Sequence, residues 1–202
     1  MEIDVQGKHG EQFYSLLVGL IAPRPIAWVT SKSPAGVVNL APFSFFNMFG
    51  VNPPVVVFSP TLRPDGSKKD THLNIEATKE FVIHASTEQH VEQINQSSKL
   101  LPHDESEVDW LKLPTEQSRV VDVPKLAGIP WALECKLQQI VPLGGGPVSG
   151  NLIIGEIVFI HVDDAILDEK NLPDPRKLKS VARLGGEYWC RSQDLFTQQR
   201  PK

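Results

Sequence analysis

Apolar residues along the chain fall mainly into short runs of β-strand length, separated by turn residues. Residues 25–30 and 37–41 form two such runs around a turn at residues 31–36, and this spacing predicts a β-hairpin. Residues 55–59 form a continuous apolar run, which is typical of a strand buried on both faces. Three further runs predict strands at residues 80–86, 131–141 and 152–162.

Helical patterns occur between these runs. Residues 10–20 form a short amphipathic segment that ends before Pro23. Asp70 or Thr71 can cap a helix that runs to about Thr78. Two further segments have helical patterns, the second one weaker: residues 88–100 and 105–113. Because strands dominate and helices interrupt them at two places, we expect a mainly β fold with helical insertions, arranged as a closed or partly open barrel.

Composition agrees with one ordinary globular domain over residues 1–202. The 17 prolines favour a fold rich in strands and loops over a helical bundle, because proline lacks a backbone N–H donor. The net charge of −4, without a strongly basic stretch, argues against nucleic acid as the main partner. The apolar stretch of residues 13–29 is interrupted by Pro23, Arg24 and Pro25, so we expect no membrane span.

The cysteines and the first twelve residues indicate in which cellular compartment the protein is expected. Cys135 and Cys190 are far apart and form no C-x-x-C pair, so neither a metal cluster nor a disulfide framework is expected. Residues 1–12 are mostly polar and include three acids, unlike a signal peptide. The histidines lack a convincing ligand spacing, so we expect no metal site. A reducing cytoplasm is the simplest location.

Three polar segments are candidates for binding a phosphorylated, planar ligand. Lys69 and Thr71 lie at a predicted helix start, where backbone N–H groups favour anions. Thr30 and Ser31 end a strand, and residues 39–47 interleave aromatic rings with polar groups. Each segment alone also fits an ordinary role: a solvated loop with a helix cap, a common turn, or part of the core.

Taken together, these segments carry a family resemblance. Residues 23–31, 39–47, Pro53-Pro54 and 69–71 occur in this order, followed by two C-terminal segments at residues 154–157 and 182–189. This arrangement closely resembles the flavin reductase-like family of FMN-binding split-barrel proteins, which includes flavoredoxin. The resemblance extends over roughly residues 10–190. It implies a split β-barrel with Greek-key connections, non-covalently bound FMN, with FAD as an alternative, and a homodimer.

The resemblance also implies roles for individual residues. Thr30 and Ser31 match the strand end near the phosphate and ribityl chain, and Lys69 and Thr71 match a further phosphate contact. Three residues of the aromatic segment fall where family members line the isoalloxazine ring, namely Ser44, Phe45 and Asn47, and Asn39 is a further cofactor-binding candidate. No catalytic acid–base pair is expected, because the cofactor itself performs hydride transfer.

The expected activity is an NAD(P)H-dependent flavin reductase that supplies reduced flavin, or electrons, to an acceptor such as a monooxygenase. The alternatives are a non-enzymatic FMN electron carrier and a flavoprotein reductase of a small organic substrate. Asn151 stands where many flavin-reducing relatives have histidine, which leaves the nicotinamide interaction open. The segment from Arg183 to Tyr188 matches a family motif near the flavin, without an assigned contact.

Overall fold

The computed structural model describes residues 2–6 and 10–201, with backbone only for residues 11 and 12. The helices are α1 Glu11–Leu20, α2 Asp70–Thr78, α3 Val91–Gln96, α4 Glu107–Trp110 and α5 Pro175–Leu178, with 3-10 turns at Glu88–His90 and Asp164–Ile166. The strands are β1 Ala27–Lys32, β2 Val38–Phe43, β3 Phe46–Val51, β4 Pro54–Phe58, β5 Glu80–His84, β6 Thr115–Glu116, β7 Lys125–Leu126, β8 Trp131–Pro142, β9 Asn151–Val162, β10 Val181–Arg183 and β11 Trp189–Arg191.

Seven strands form one antiparallel sheet in the order β2-β1-β5-β8-β9-β4-β3. The predicted hairpin is present as β1 and β2, with Ser31 opposite Asn39. The sheet curls strongly, since Phe43 at the end of β2 reaches Phe58 on β4 with a ring distance of 5.1 Å. The edge strands β2 and β3 are not paired with each other, so the paired strands of the described residues do not close into a complete barrel.

The inside of this curled sheet is an apolar core. Phe58 stacks edge-on against Phe81 of β5 at 5.5 Å, and both rings are fully buried. Helix α2 adds Ile75 to the same cluster and thereby covers one end of the curl. Burial of these side chains is the main stabilising contribution to the fold, worth roughly 1.5–3 kcal/mol for each large residue.

A second apolar cluster lies on the outer face of the β1–β2 hairpin. Trp28 and Leu40 point to this face and pack against Ile94 of α3 and Val108 of α4. The short helices therefore act as a cover for a sheet face that would otherwise contact water. None of the helices in the described ranges is long and apolar enough to cross a membrane.

Several element boundaries differ from the predictions. The segment after Phe43, predicted only as an aromatic run, contains the edge strand β3. The β4 strand is not buried on both faces, since Val55 and Val57 are only half-buried. The predicted helix at residues 88–100 ends at Gln96, after which the backbone N–H groups of Ser98 and Lys99 bond three residues back instead of four.

The predicted caps of α2 are also wrong. Lys69 occupies the N-cap position, and no side chain caps the helix there. The carboxylate of Asp70 instead pairs with Arg63, and the hydroxyl of Thr71 donates to Asn39. Both side chains that could cap the helix therefore bind other partners. The first backbone N–H groups of α2 remain available to another acceptor.

Candidate functional site

A cleft of about 260 Å³ lies where the start of α2 meets the end of β2. This first cleft is lined by residues from five parts of the chain: Asn39, Ala41, Pro42 and Phe43 on β2, Arg63 and Pro64, Lys69 to Thr71, residues 97–101, and Glu107. Asn39, Ala41 and Phe43 alternate along β2, so the strand geometry places them on one face. The cleft therefore depends on the packing of α2 and α4 against this strand.

A buried polar network forms the back of the first cleft. The Thr71 hydroxyl donates to Asn39 Oδ1 at 2.5 Å, and the Ser31 hydroxyl donates to the same oxygen at 3.4 Å. Asn74 donates its amide to Ser31 at 3.2 Å. The Asn74 carbonyl oxygen is buried and has no hydrogen-bond partner among the described residues. Buried polar groups are usually paired, so this oxygen marks a place for a water or ligand donor.

Glu107 is a cleft residue that sequence reasoning missed. Its side chain is buried, and Oε2 accepts from the Leu40 backbone N–H at 2.8 Å and from the Asn39 amide at 2.9 Å. Burial raises the pKa of Glu107 above its ordinary value, although the hydrogen bonds from Leu40 and Asn39 oppose this shift. One glutamate among several acids in a weak helical pattern gives no sequence signal for such a position.

Lys69 is a cation of the first cleft that lacks a carboxylate within 4.0 Å among the described side chains. Arg63 is nearby but pairs with Asp70 at 2.7 Å, and Asp70 also contacts His103 at 2.6 Å. Burial lowers the pKa of Lys69, and the positive charge of Arg63 lowers it further. A half-buried ammonium without a counter-charge favours binding of an anion at this point.

A second cleft, of about 310 Å³, adjoins the first across Pro42 and Ser98, which line both. Its walls combine aromatic and apolar side chains with a few polar groups: Tyr14, Ile26, Ser44, Ile94, Asn95, Arg183 and Trp189. The Arg183 guanidinium lies 4.9 Å over the Trp189 ring and donates to the Gly186 carbonyl at 2.6 Å. The structure therefore places the C-terminal motif beside Ser44.

The sequence-predicted residues do not all meet in these clefts. Ser31, Asn39, Lys69 and Thr71 come together in or directly behind the first cleft, and Ser44 lines the second. Phe45 packs edge-on against Tyr14 at 6.3 Å. Two residues lie elsewhere: Thr30 and Asn47.

Thr30 and Asn47 have other partners. Thr30 points to the outer face of the sheet, where its hydroxyl donates to the Pro124 carbonyl at 2.9 Å. This follows from strand alternation, since Ser31 faces inward. Asn47 is exposed on β3, and its side-chain oxygen accepts from the Met48 N–H at 2.8 Å. The side chains of both residues therefore lie away from the first cleft.

Asn151 has a structural environment of its own. Its backbone N–H donates to the Ser59 hydroxyl at 3.0 Å, and its side-chain amide donates to the Pro60 carbonyl at 3.3 Å. These bonds tie the start of β9 to the beginning of the loop that carries Arg63. The amide therefore has protein partners and does not line either cleft.

Comparisons with known proteins agree on one family. Residues 20–181 match the family model described as a flavin reductase like domain. Nitrilotriacetate monooxygenase component B from Bacillus cereus is 35% identical, with a TM-score of 0.92 over 98% of both chains. The 2-nitrobenzoate 2-nitroreductase of Pseudomonas fluorescens is 31% identical, with a TM-score of 0.88 over 100% of this chain and 96% of that one. A protein of Shewanella frigidimarina with a split barrel domain shares the fold, at 22% identity and a TM-score of 0.83 over 98% and 96% of the two chains.

Proposed function

The chain belongs to the flavin reductase-like family, and from this premise we propose that it is an FMN-dependent oxidoreductase that takes electrons from NAD(P)H. Reduced flavin, or its electrons alone, would then pass to an acceptor. The observation that carries the proposal is the pair of adjoining clefts, one with an unpaired lysine at a helix start and one with aromatic walls.

The first cleft suits the phosphate of FMN. Helix α2 has nine residues and no side-chain cap, so its first N–H groups and its dipole favour an anion. Lys69 adds a positive charge at the same end. Asp70 and Glu107 would oppose a dianion, but Arg63 neutralises the first and burial disfavours the charged form of the second.

The second cleft suits the isoalloxazine ring. Tyr14, Pro42 and Trp189 offer flat surfaces that pack against a planar ring, and Ser44 offers a hydroxyl at its edge. Bound FMN would supply the hydride and electron chemistry itself. The protein would hold the ring, exclude water from one face and leave the other open to the nicotinamide.

The role as a reductase component is supported by the likeness to a monooxygenase component B. We therefore propose a monooxygenase or another redox protein as the acceptor. Direct reduction of a small organic substrate is the second candidate, and the likeness to a nitroreductase favours it. A pure electron carrier and the use of FAD in place of FMN are the remaining alternatives.

We also propose that the chain is a single domain that acts as a homodimer in the cytoplasm. Edge strand β3 exposes Met48, Phe49 and Val51, each more than half accessible. An exposed apolar edge strand is an aggregation hazard unless a partner covers it. Cys135 and Cys190 are both free thiols, which is the state expected in a reducing compartment.

The test is a flavin titration followed by a nucleotide assay. FMN added to the purified protein is expected to change in fluorescence and to raise the melting temperature. NADH and NADPH absorbance is then followed with and without added FMN, and oxidation that requires FMN identifies a reductase. A protein that binds FMN and leaves both nucleotides unoxidised would be a carrier. Absence of any FMN effect on fluorescence and melting would refute the flavin site.

A further inference from the structure

Arg183, in the wall of the second cleft, lies next to a second arginine, the buried Arg24. Arg24 and Arg183 form an isolated antiparallel bridge, in which each backbone N–H donates to the other's carbonyl at 2.9 Å. Neither guanidinium has a carboxylate within 4.0 Å among the described side chains. The pKa of Arg24 is lowered, first by burial and also by the positive charge of Arg183, while Tyr14 raises it. Two neighbouring cations of this kind favour an anionic ligand.

The two arginines have different tasks. The Arg24 guanidinium donates to three backbone carbonyls, those of Val18, Ile21 and Leu184, and so holds the end of α1 against the C-terminal segment. The Arg183 guanidinium makes one hydrogen bond, from Nη2 to the Gly186 carbonyl. Its other two side-chain nitrogens have no partner among the described residues. Since Arg183 also lines the cleft, it is the one available to a ligand.

The orientation of Arg183 is set by its surroundings. Its guanidinium lies over the Trp189 ring, on the partner strand of the β10–β11 hairpin. Acidic residues border an open groove beyond it: Glu88, Glu92 and Glu187. Glu88 is already paired with Arg191, and none of the three approaches Arg183 within 4.0 Å. Arg183 lines both this groove and the second cleft, so its positive charge is accessible from the second cleft without direct neutralisation.

We propose that Arg183 stabilises the reduced form of the flavin ring, which rests on the proposed function. A neutral flavin ring that takes up two electrons and one proton gains one negative charge. A fixed guanidinium in the second cleft lowers the free energy of the negatively charged, reduced ring and leaves that of the neutral, oxidised ring nearly unchanged. Arg183 would thereby bind reduced FMN more tightly than oxidised FMN and raise the midpoint potential of the bound flavin.

The experiment compares Arg183→Gln with Arg183→Lys and with the control Arg191→Gln. Arg191 lies on the same hairpin, but its guanidinium is exposed and pairs with Glu88. For each protein, the FMN dissociation constant is measured for oxidised flavin and for dithionite-reduced flavin without oxygen. The midpoint potential and the affinity of the oxidised complex for sulfite, which adds a negative charge to the ring, are measured as well.

We expect Arg183→Gln to weaken reduced FMN about tenfold more than oxidised FMN, which corresponds to a potential lower by about 30 mV. Sulfite affinity should fall by a similar factor. Arg183→Lys should recover most of both effects, and Arg191→Gln should match the wild type. Melting temperatures without flavin show whether each variant is folded.

Two results would overturn the role of Arg183. In the first, Arg183→Gln weakens both oxidation states equally and leaves the potential and sulfite affinity unchanged. In the second, it weakens FMN but not riboflavin, which would make Arg183 a phosphate ligand. A wild-type protein that binds no FMN is a different failure, because it removes the proposed function itself.

Discussion

The Asn39 amide donates a hydrogen bond of 2.9 Å to the buried Glu107 carboxylate, and its carbonyl oxygen accepts from Thr71 at 2.5 Å. Asn39 therefore connects β2 to both α2 and α4. Through this one side chain, the orientation of the Thr71 hydroxyl at the first cleft depends on the protonation and position of Glu107. Hydrogen-bonded networks of this kind respond as a unit when one member changes.

Replacing Glu107 by glutamine should change how stability depends on pH. Because the pKa of Glu107 is raised in the folded protein, the folded state binds more protons than the unfolded state just above the ordinary value of 4.5. The wild type must therefore lose stability as the pH rises from there to the raised pKa. Glu107→Gln keeps an acceptor for Leu40 and Asn39 and removes this loss.

Urea unfolding across this pH interval provides the measurement. The free energy of unfolding of Glu107→Gln, relative to the wild type, should increase with pH and then become constant. Glu105→Gln is the control, because Glu105 is an exposed acid two residues away. Parallel curves for the wild type and Glu107→Gln would contradict the buried, hydrogen-bonded position of this carboxylate.

Buried His84 should make the protein sensitive to mild acid. Its Nδ1 contacts the Trp28 carbonyl and its Nε2 accepts from the Leu126 N–H, both at 3.0 Å, which requires the neutral ring with the proton on Nδ1. Burial lowers the pKa of His84 from 6.5 to about 4. The unfolded state then binds more protons between these values, and stability falls as the pH decreases from 6.5 to 4, by roughly 3 kcal/mol.

Unfolding free energies of the wild type and of His84→Gln, measured in steps from pH 7.5 to pH 4, test this effect. The variant should be less stable at pH 7.5 and should lose less stability on acidification. His103→Gln serves as a control, because that side chain is largely exposed. If His84→Gln lost as much stability with acid as the wild type, another group would be responsible.

The central strands were predictable from sequence, because their apolar runs directly reflect burial. The predicted strand at residues 131–141 differs from β8 by one residue, and β9 begins one residue before its predicted start. By contrast, β3 exposes four of its six residues and shows no apolar alternation. Its strand conformation comes from pairing with β4, which is tertiary information that local pattern does not contain.

Some residues of the candidate site could also be predicted from local sequence, and others could not. Lys69 and Thr71 could be chosen because a helix start has a local signal. Glu107 reaches Asn39 only because the chain folds back over 68 residues. Arg183 is likewise brought to the cleft by pairing with Arg24. The sequence around Glu107 therefore contains no pattern for its contact, and the family motif at Arg183 does not specify which residues this side chain meets.

Gly155 on β9 lies directly against an aromatic ring of the core, that of Phe81. A Cβ atom at this position would lie 2.3 Å from the Phe81 ring, so alanine cannot be accommodated without displacing that ring. Gly155→Ala should destabilise the protein by about 1–3 kcal/mol, the usual cost of overpacking. Gly145→Ala is the matched control, because nothing lies within 4 Å of the added carbon there.

Chemical unfolding of Gly155→Ala, Phe81→Leu and the double variant shows whether the clash with the Phe81 ring causes the loss of stability. If the ring is the obstacle, the smaller leucine should remove part of the penalty, and the two substitutions should couple favourably. Strictly additive losses would show that Phe81 is not what makes alanine unfavourable at residue 155.

The proposed phosphate contact makes the most direct prediction about the ligand. Charge-assisted hydrogen bonds contribute about 1.5–3 kcal/mol, so Lys69→Ala should weaken FMN binding by roughly ten- to a hundredfold. Riboflavin, which has the same ring and ribityl chain but no phosphate, should bind the variant and the wild type nearly equally. Lys68→Ala is the matched control, since the Lys68 ammonium already pairs with Glu76 on α2.

Fluorescence titrations with FMN and riboflavin on the three proteins decide the matter, because only a phosphate ligand distinguishes the two flavins. Salt gives an independent check: raising the ionic strength should weaken FMN more for the wild type than for Lys69→Ala, since the screened charge is absent from the variant. If Lys69→Ala reduced the affinity for both flavins to the same extent, the lysine would be supporting the shape of the cleft, and the phosphate would have to be held elsewhere.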